Sequence, residues 1–531
     1  MNIANNNDLN IFDLPNEILL MICKKLNMVD VLYSLVDVNE RFDQLILDHL
    51  YIRHLNMTTM TIKSAFDRIF SINNQVLSRI CENIFPRIHD QVNQLTVDSH
   101  SIDRLLTFNY PQLYSLSLVD FQENILLQYL KGNSNLYNLL SEQITHLYID
   151  IEIKTRKPPL TKILPKIFVL ILSLCKRLIY LNLCASPRYR CLAIHFFKQS
   201  STSCMSSTLT TLNINVETFD DCLYLLDERL NSLLTLFIYV VEISYIISNI
   251  QNTKQLPKLK SFSLASCRQT MTYNKLIIPL LHRMINLEEL KLFLFVKKFD
   301  SSYIDGIQLH DQILIYMQKL NKFTFNIHTE VFNINIKTDL QSNEEIQRSF
   351  IGRQYGQVGS IVQTIGTNDV GTCHVYSLPY QFENFIYLNN SFQGGKLDKV
   401  RCLMMLDLIY PFEHNFFQVI SQDFPFLKEL YILNSQRQQN KQHSSTLITF
   451  RHVILLDLEV AHIDYVEQFL IDKNTHLPCL LNLIIGYESL AIVTNNFTND
   501  AARLTCSKLK CLEISEPFVP PENFHQYFPL L

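Results

Sequence analysis

The segment LEELKLFLFV, residues 287–296, decides the fold, because Leu287, Leu290 and Leu292 occupy the apolar positions of the pattern L-x-x-L-x-L. The same pattern, with other large apolar residues allowed, recurs along most of the chain. Its other copies begin at Leu113, Ile144, Leu178, Leu209, Leu233, Leu259, Leu320, Val400, Leu427, Val453, Leu480 and Leu509, and Val92 starts a copy that fits as the first. One match of so loose a pattern carries no weight, but this many matches in near-register predict a repeat architecture.

The spacing of the copies indicates the kind of repeat. Successive copies begin 24, 26, 28 and 33 residues apart between residues 209 and 320, and 27, 26, 27 and 29 residues apart between residues 400 and 509. Leucine-rich repeats have a period of about 20 to 29 residues. Each copy is therefore expected to form one short parallel strand, followed by a helix that returns along the outside. Such helices are expected over residues 311–320 and 466–472.

The repeats predict an α/β fold, an irregular leucine-rich-repeat solenoid with parallel strands inside and helices outside. A first block of repeats is expected over residues 56–326, and a second block, ending in a C-terminal cap, over residues 400–531. The Asn or Cys that follows each strand in the usual repeat occurs here only as Cys267, which predicts irregular turns.

The period breaks between residues 327 and 399, where a β-rich insertion is expected. Residues 357–365 and 372–378 fit two strands on either side of Gly366-Thr-Asn-Asp-Val-Gly371, which predicts a hairpin, and residues 343–350 fit a helix. Five of the ten glycines of the chain lie within residues 352–371 of this region. Insertions in solenoids often lie at the binding face, so this insertion could contact the target. A loop decoration without function is the other interpretation.

Composition argues against several classes of function. The chain has 46 Lys and Arg against 50 Asp and Glu, so its net charge of −4 predicts no nucleic-acid partner and no attraction to anionic lipid. Only 10 of the 531 residues are glycine, and neither GxGxxG nor GxxxxGK[ST] occurs, which argues against the usual phosphate-binding turns. HExxH, GxSxG and Cys/His sets with metal spacing are absent too, so the sequence predicts no catalysis, no cofactor and no metal.

The start of the chain and its cysteines predict its compartment. Residues 1–10, MNIANNNDLN, have neither the basic nor the apolar stretch of a leader peptide, and the 13 cysteines contain no CxxC pair. The most apolar windows, residues 167–175 and 233–250, are too short or too often interrupted by polar residues for a spanning helix of about 20 residues. The sequence thus predicts a cytoplasmic protein, with the nucleus as a second location, with reduced thiols, no membrane partner and a disordered N-terminus over residues 1–8.

Residues 9–50, LNIFDLPNEILLMICKKLNMVDVLYSLVDVNERFDQLILDHL, follow a different pattern from the repeats. Three short helices are expected, the first beginning at Pro15 with Asp13 as its cap, the others following Asn27 and Asn39. Their apolar residues recur at helical spacing, at Ile18, Leu19, Ile22 and Leu26, at Val31, Leu32 and Leu35, and at Phe42, Leu45, Ile46 and Leu50. Because three short helices in about 40 residues cannot close a core of their own, they leave apolar surface for a partner or for the repeats.

This N-terminal segment resembles the F-box. The pattern of that family opens with Leu-Pro-x-Glu, here Leu14-Pro15-Asn16-Glu17, and continues through the Ile and Leu steps of the first two helices to Leu35-Val36. Phe42 stands where the family usually has an aromatic residue, generally Trp, and Asp37-Val38 replaces the usual Val-Cys pair. An F-box followed by leucine-rich repeats is similar to the substrate receptors of Skp/cullin/F-box ubiquitin ligases.

The resemblance implies that an F-box over residues 9–55 docks a Skp-type adaptor and, through it, a cullin ligase, while the repeats hold a target protein for ubiquitination. The residues implied in the adaptor contact are Leu14, Pro15, Glu17, Ile18, Leu19, Ile22, Leu26, Leu32, Leu35 and Phe42. The alternative is that these residues simply pack on the first repeat.

Residues between and beside the repeat leucines are candidates for the target-binding face. They are His146, Tyr148, Tyr180, Asn182, Phe237, Tyr239, Lys291, Phe293 and Tyr431. Exposed aromatic side chains on a rigid repeat surface suit a protein partner, because such side chains supply most of the binding energy of protein interfaces. Any one of them is more often a partly covered surface residue than a strong contributor to binding. The hypothesis of a target-binding face therefore concerns the whole set.

Two other functions stay open on the sequence alone. The chain could be a leucine-rich-repeat scaffold that binds proteins without engaging a ligase, or an enzyme whose site lies in the insertion over residues 327–399. The intact Leu14-Pro15-x-Glu17 and the apolar helix faces favour the ligase receptor over the scaffold.

Overall fold

The structure of the chain is a computed structural model. It describes residues 11–62, 68–70, 72–132, 134–152, 162–184, 192–196, 206–227, 229–244, 253–299, 302–332, 340–353, 355–365, 370–440 and 446–531. Two compact units divide the chain: one comprises residues 1–61, 68–241 and 246–250, and the other comprises residues 62–67, 242–245 and 251–531. The disordered N-terminus predicted for residues 1–8 lies outside the described residues.

The chain up to residue 242 starts with four short helices and then alternates strands with helices. The helices are α1 (Asn16–Cys23), α2 (Met28–Leu35), α3 (Glu40–Ile46), α4 (His49–Ile52), α5 (Asn74–Arg79), α6 (Phe85–Ile88), α7 (Ile102–Leu105), α8 (Glu123–Lys131), α9 (Asn135–Glu142), α10 (Leu164–Leu174) and α11 (Phe219–Leu225). The strands are β1 (His54–Met57), β2 (Met60–Ile62), β3 (Arg68–Phe70), β4 (Gln94–Asp98), β5 (Ser115–Phe121), β6 (His146–Ile151), β7 (Tyr180–Asn182), β8 (Thr211–Thr218) and β9 (Thr235–Glu242).

The main strands of the first unit lie side by side in the order β1-β4-β5-β6-β7-β8-β9. The pairs from β1 to β8 are parallel, and their repeat leucines are in register, Leu95 opposite Leu116, Leu147 and Leu181 in turn. These leucines are all buried. A parallel ladder needs a crossover between neighbouring strands, and helices lie in each of the crossovers from β1 to β7.

After residue 242 the chain continues with the remaining elements. The helices are α12 (Ile278–His282), α13 (Gly306–Gln312), α14 (Asn343–Phe350), α15 (His414–Asp423), α16 (Ile463–Leu470), α17 (Tyr487–Val493), α18 (Arg503–Cys506) and α19 (Phe524–Tyr527). The strands are β10 (Ser261–Thr270), β11 (Glu289–Lys298), β12 (Lys322–Phe332), β13 (Gln357–Ile365), β14 (Val370–Leu378), β15 (Asn384–Leu388), β16 (Cys402–Leu406), β17 (Glu429–Leu433), β18 (Ile448–Thr449), β19 (Leu455–Leu458), β20 (Thr475–His476), β21 (Asn482–Ile485) and β22 (Cys511–Ile514).

The second unit contains two groups of sheet strands. In the first group β10, β11 and β12 are parallel, and β14 and then β13 join antiparallel, in the order β10-β11-β12-β14-β13. The second group is a six-stranded parallel sheet, β15-β16-β17-β19-β21-β22. Leu403, Leu430, Leu456 and Leu483 lie opposite one another along this sheet and are fully buried.

The predicted α/β class is confirmed. Every copy of the L-x-x-L-x-L pattern, including the one that starts at Val92, places its middle apolar residue on a strand, and all but the copy at Leu178, whose strand ends at Asn182, place the last one there too. The hairpin predicted for the irregular region is confirmed as β13 and β14, with Gly359 opposite Tyr376, although residues 366–369 of its turn lie outside the described residues. The predicted helix over residues 343–350 is confirmed as α14, where Ser342 and Glu345 form a capping box.

Some boundaries differ from the predicted ones. The helix predicted over residues 311–320 is wrong in position, because Asp305 caps the backbone N–H of Gln308 at 2.8 Å and starts α13 at Gly306, five residues early. The helix predicted over residues 466–472 starts at Ile463, after the cap His462. The predicted insertion over residues 327–399 contains β15, the first strand of the six-stranded sheet.

Side-chain caps encoded in the sequence start three of the four N-terminal helices. Asn27 accepts a hydrogen bond from the backbone N–H of Val29 at 2.8 Å and starts α2, and Asn39 does the same for Phe42 at 2.9 Å at the start of α3. The first helix begins one residue later than predicted, with Pro15 as the residue before it, and no side chain caps it.

Two of the clustered glycines have different physical roles. Gly356 has a φ of +71°, a left-handed conformation that residues with a Cβ atom rarely adopt. Gly371 lies within β14, where a Cβ atom would come 2.0 Å from the hydroxyl oxygen of Tyr303. Glycine at this strand position therefore permits a close approach of a buried tyrosine, a role that a turn prediction from the sequence does not include.

Most of the cysteines of the chain lie within the described residues. Eleven cysteines are described, none of them in a disulfide, and six of these, including Cys373, are buried. Within the described residues, no helix combines the length and the apolar character needed to cross a membrane.

Candidate functional site

The outward side of α1 carries a group of exposed apolar side chains. The exposed fractions are 41% for Ile18, 62% for Met21, 40% for Ile22 and 52% for Leu26, which follows the helix by three residues. On the same helix Leu19 and Cys23 are buried. We call Ile18, Met21, Ile22 and Leu26 the α1 face. Contiguous exposed apolar residues of this kind mark interaction sites more often than ordinary surface does.

The other residues implied in adaptor binding fall into two sets. Pro15 and Glu17 are exposed, and Leu14 and Leu35 are half-buried. Leu19, Leu32 and Phe42 are buried in the first unit. Docking and internal packing thus each apply to a part of the predicted set. The buried residues hold the helices together, while the α1 face stays open.

Polar contacts position α1 on its own unit. The Arg41 side chain donates two hydrogen bonds to the start of the helix, from Nε to Oδ1 of Asn16 at 2.8 Å and from Nη2 to the carbonyl oxygen of Leu14 at 2.6 Å. Charge-assisted bonds to a helix start fix its direction more firmly than apolar contact alone. The α1 face is therefore presented by an anchored helix.

A second set of contacts ties the helices to the rest of the unit. Arg87 of α6 forms ion pairs with Asp37 at 2.8 Å and with Asp43 at 3.1 Å. The hydrogen bond to Asp43, and then the one to Asp37, raise the pKa of the Arg87 guanidinium. Asn27 donates from Nδ2 to the carbonyl oxygen of Thr58 at 3.1 Å.

Three residues predicted for the target-binding face come together on neighbouring strands of the first unit. His146 lies opposite Tyr180, and Tyr148 lies opposite Asn182. The rings of His146 and Tyr180 stack with centroids 5.8 Å apart, and those of Tyr148 and Tyr180 are 4.9 Å apart. Tyr114, which the sequence analysis missed, extends the group at 5.6 Å from His146. We call Tyr114, His146, Tyr148 and Tyr180 the aromatic cluster.

Burial in the aromatic cluster disfavours the charged forms of two of its members. Burial lowers the pKa of His146, and burial followed by the neighbouring Tyr148 raises the pKa of Tyr180. Tyr114 and Tyr148 are the most exposed members, and Gln94 donates from Nε2 to the hydroxyl of Tyr114 at 2.8 Å. The cluster can supply apolar contact and neutral hydrogen bonds, the combination that interface tyrosines provide.

The remaining predicted residues lie in less exposed surroundings. Asn182 accepts from the backbone N–H of Cys184 at 2.9 Å and so shapes the chain after β7. Phe237 and Tyr239 are half-buried on β9. Their side chains are therefore only partly exposed.

In the second unit the predicted residues are engaged by neighbours. Lys291 pairs with Glu289 at 3.5 Å, and the Tyr431 hydroxyl donates to Oε2 of Glu429 at 3.1 Å. Phe293 is buried, with its ring 5.4 Å from that of Phe382. Since so little of Phe293 reaches the surface, its prediction as a contact residue has no geometric support.

Two residues that sequence reasoning missed had a signal in the sequence. Met21 follows Ile18 by three positions and so shares its helix face. Tyr114 follows the first leucine of its repeat copy, directly before β5. Neither residue belongs to the apolar steps of the F-box and repeat patterns.

Within the described residues, no group of three or more His, Cys, Asp and Glu side chains is arranged to hold a metal ion. A scan against protein-family models finds no match for the chain, and a search of curated proteins finds no similar sequence. The α1 face and the aromatic cluster therefore rest on the sequence and geometry of this chain alone.

Proposed function

We propose that the chain is the substrate-recognition subunit of a Skp/cullin/F-box ubiquitin ligase, with an F-box over residues 9–55 and leucine-rich repeats after it. The observation that carries the proposal is the α1 face, which directly follows Leu14-Pro15-x-Glu17. Parallel strands in register at most copies of the repeat pattern support the second part. The proposal assigns the α1 face to the Skp-type adaptor and the aromatic cluster to the target protein.

The energetics of the α1 face support docking. Removing half-exposed apolar side chains from water contributes roughly 1 kcal/mol for each, so the four residues supply a useful part of a binding free energy. Because Arg41 anchors the helix and its buried residues hold it in place, little further ordering is needed when a partner binds. A preformed apolar helix face is the geometry by which helices are recognised in protein grooves.

In this function the chain performs no bond chemistry. It binds an adaptor at one surface and a target at another, and so raises the effective concentration of a target lysine near the activated ubiquitin. The aromatic cluster, in which burial disfavours charge on His146 and Tyr180, suits a protein contact of this kind.

Co-purification with a Skp-type adaptor tests the proposal. Ile18→Ser combined with Ile22→Ser removes half of the α1 face without touching a buried residue, and we expect at least about a tenfold loss of adaptor affinity, since both side chains would lie in the contact. Leu50→Ser is the matched control, because Leu50 is an exposed apolar residue on α4 of the same unit. It should bind the adaptor as the native chain does.

Three outcomes contradict the proposal: no association of the native chain with the adaptor, undiminished association of the double variant, or equal loss in the Leu50→Ser control. The first of these would favour a repeat scaffold that works without a ligase.

A further inference from the structure

The second unit contains an open cleft with a volume of about 650 Å³. Residues of β10, β11, β12, of the β13–β14 hairpin and of the first two strands of the six-stranded sheet line it, together with Glu242. The lining includes the side chains of Phe295, His328, Tyr387, Glu330, Gln269 and Arg268. Ligand sites in proteins usually have volumes of roughly 300 to 1,000 Å³, so this space suits a small molecule or one or two side chains of a peptide.

Three aromatic rings meet at the cleft. The centroids of Phe295 and His328 are 4.6 Å apart, those of Phe295 and Tyr387 are 4.7 Å apart, and those of His328 and Tyr387 are 5.5 Å apart. Burial lowers the pKa of His328 to about 3, so this ring is uncharged at physiological pH. Three neutral rings therefore form one side of the cleft, and none of them repels a positive charge.

The backbone at Tyr387 is strained. Its φ is 62°, a left-handed conformation that is unusual for a bulky aromatic residue. The pairing of β15 with β16 skips this residue, because the register shifts between Ile386 and Leu388. Such strain persists where the surroundings force it, and it clusters at binding and catalytic sites.

A second irregularity lies on the opposite part of the lining. The register of β10 with β11 shifts between Ala265 and Gln269, and Cys267 and Arg268, which line the cleft, lie in this interruption. Bulges of this kind redirect side chains and are frequent beside functional sites. Two independent departures from regular strand pairing thus border the same space.

The charges at the cleft favour a cation. Arg268 pairs with Glu242 at 3.6 Å, so these two charges offset each other. Glu330 accepts a hydrogen bond from the neutral amide of Gln269, and within the described residues no basic side chain forms an ion pair with it. Lys297 lies opposite Glu330 on β11, but its Nζ is directed to the ring of Phe332, 4.0 Å from the centroid. The lining consequently carries one carboxylate without an ion pair, next to the three rings.

We propose that this cleft is a binding site for an organic cation, an ammonium or guanidinium group, which Glu330 holds by charge and the faces of Phe295 and Tyr387 hold by cation–π contact. Carboxylates and aromatic rings together recognise such cations, and the rings contribute most when water is excluded. The cation belongs either to a lysine or arginine side chain of a protein or to a free amine. The site is independent of the adaptor contact proposed above, because it uses none of the residues of the α1 face.

Titration of the full chain with Nα-acetyl-arginine amide and Nα-acetyl-lysine amide, followed by saturation-transfer NMR and calorimetry, tests this site. Nα-acetyl-aspartate amide serves as the probe of opposite charge. We expect saturable binding of the cationic probes, no binding of the anionic probe, and weaker binding at high salt. Binding of all three probes alike, or of none, would overturn the proposal.

Substitutions locate the binding. Glu330→Gln keeps the size of the side chain and removes the charge, so we expect about a tenfold or larger loss of affinity for the cationic probes. Phe295→Leu keeps an apolar side chain and removes the ring, with an expected loss of roughly three- to tenfold. Glu488→Gln changes an exposed carboxylate of α17 away from the cleft and should leave the affinity unchanged. Native affinity in a folded Glu330→Gln chain would overturn the assignment.

A further arm separates the two sources of the cation. An eight-residue peptide with one central arginine between glycine and serine residues is compared with the arginine amide. If the peptide binds at least about tenfold more tightly, backbone contacts contribute and a protein segment is the ligand. If the amide binds equally well, the site takes a free cation.

Discussion

The α1 helix and the six-stranded sheet carry the same kinds of apolar residue at regular spacing, but they use them in opposite ways. On the sheet Leu403, Leu430, Leu456 and Leu483 are fully buried against the next repeat. On α1 Leu19 and Cys23 are buried, whereas Ile18, Met21 and Ile22 face water as part of the α1 face. Periodicity therefore identifies apolar surface in both regions, and only burial distinguishes surface that stabilises the fold from surface that is open to a partner.

The largest effect is expected on the sheet. Leu456→Ala should lower the free energy of unfolding by about 2 to 5 kcal/mol, because a fully buried leucine leaves a cavity between repeats. Chemical denaturation followed by circular dichroism measures the change. Ile492→Ala, at an exposed position of α17, is the control and should stay within about 0.5 kcal/mol of the native chain. Equal effects at the two positions would contradict the comparison.

A smaller effect is expected within α1 itself. Leu19→Ser should destabilise the helical segment by roughly 2 to 4 kcal/mol, since it removes a buried side chain and buries a hydroxyl group. Ile18→Ser, one residue away on the open face, should cost less than about 1 kcal/mol. Hydrogen exchange of the α1 to α3 amides reports the difference. If Ile18→Ser opened the segment as much as Leu19→Ser, the α1 face would be part of the core.

The smallest expected effect concerns a charge rather than an apolar residue. Burial, followed by the nearby Glu152 and Asp150, raises the pKa of Asp120 to about 6. The Asp120 carboxyl thus holds its proton more tightly in the folded chain than in the unfolded chain, where an aspartate has a pKa near 4. The associated stability is fully present below about pH 4 and is lost as the pH rises through 6.

Asp120→Asn removes this loss of stability at high pH, because the amide does not ionise. The φ of 58° at position 120 suits asparagine as well as aspartate. We expect the variant to exceed the native chain in stability at pH 7.5 by less than about 1 kcal/mol, because solvent screens a partly exposed group, and to match it at pH 4. Thermal unfolding at the two pH values measures the gain. Glu142→Gln, at an exposed position that ends α9, is the control without such a pH-dependent gain. A gain at pH 4 equal to that at pH 7.5 would contradict the assigned cause.

Much of the strand framework follows from local sequence. Each repeat copy has a leucine or a similar residue at fixed spacing, and in-register pairing buries most of them at once, so strand positions such as Gln94–Asp98 and Asn482–Ile485 were predictable. The α14 helix was equally local, because Ser342 and Glu345 form a capping box within one turn. Helix α13 was misplaced because the cap Asp305 precedes the apolar residues that guided the prediction.

The candidate sites were predictable only in part. The sequence indicated Ile18, Ile22 and Leu26 as apolar, and it indicated Leu19, Leu32 and Phe42 in the same way, although the latter are buried. Phe293 was predicted for the target-binding face but is buried, since its neighbour Phe382 lies 89 positions away in the chain. A local pattern does not contain such distant contacts, and these contacts decide which side chains remain in contact with water.

By itself, the amino-acid sequence determined the repeat period, the α/β class, the hairpin and the Leu-Pro-x-Glu segment, because each depends on residues close together in the chain. Tertiary structure alone decided the α1 face, the aromatic cluster and the cleft of the second unit. Phe295, His328, Glu330 and Tyr387 come from three separate strands, and two interruptions of strand register bring such residues around one space. Exposure and enclosure are properties of the packed chain, since they depend on contacts between residues that are far apart in sequence.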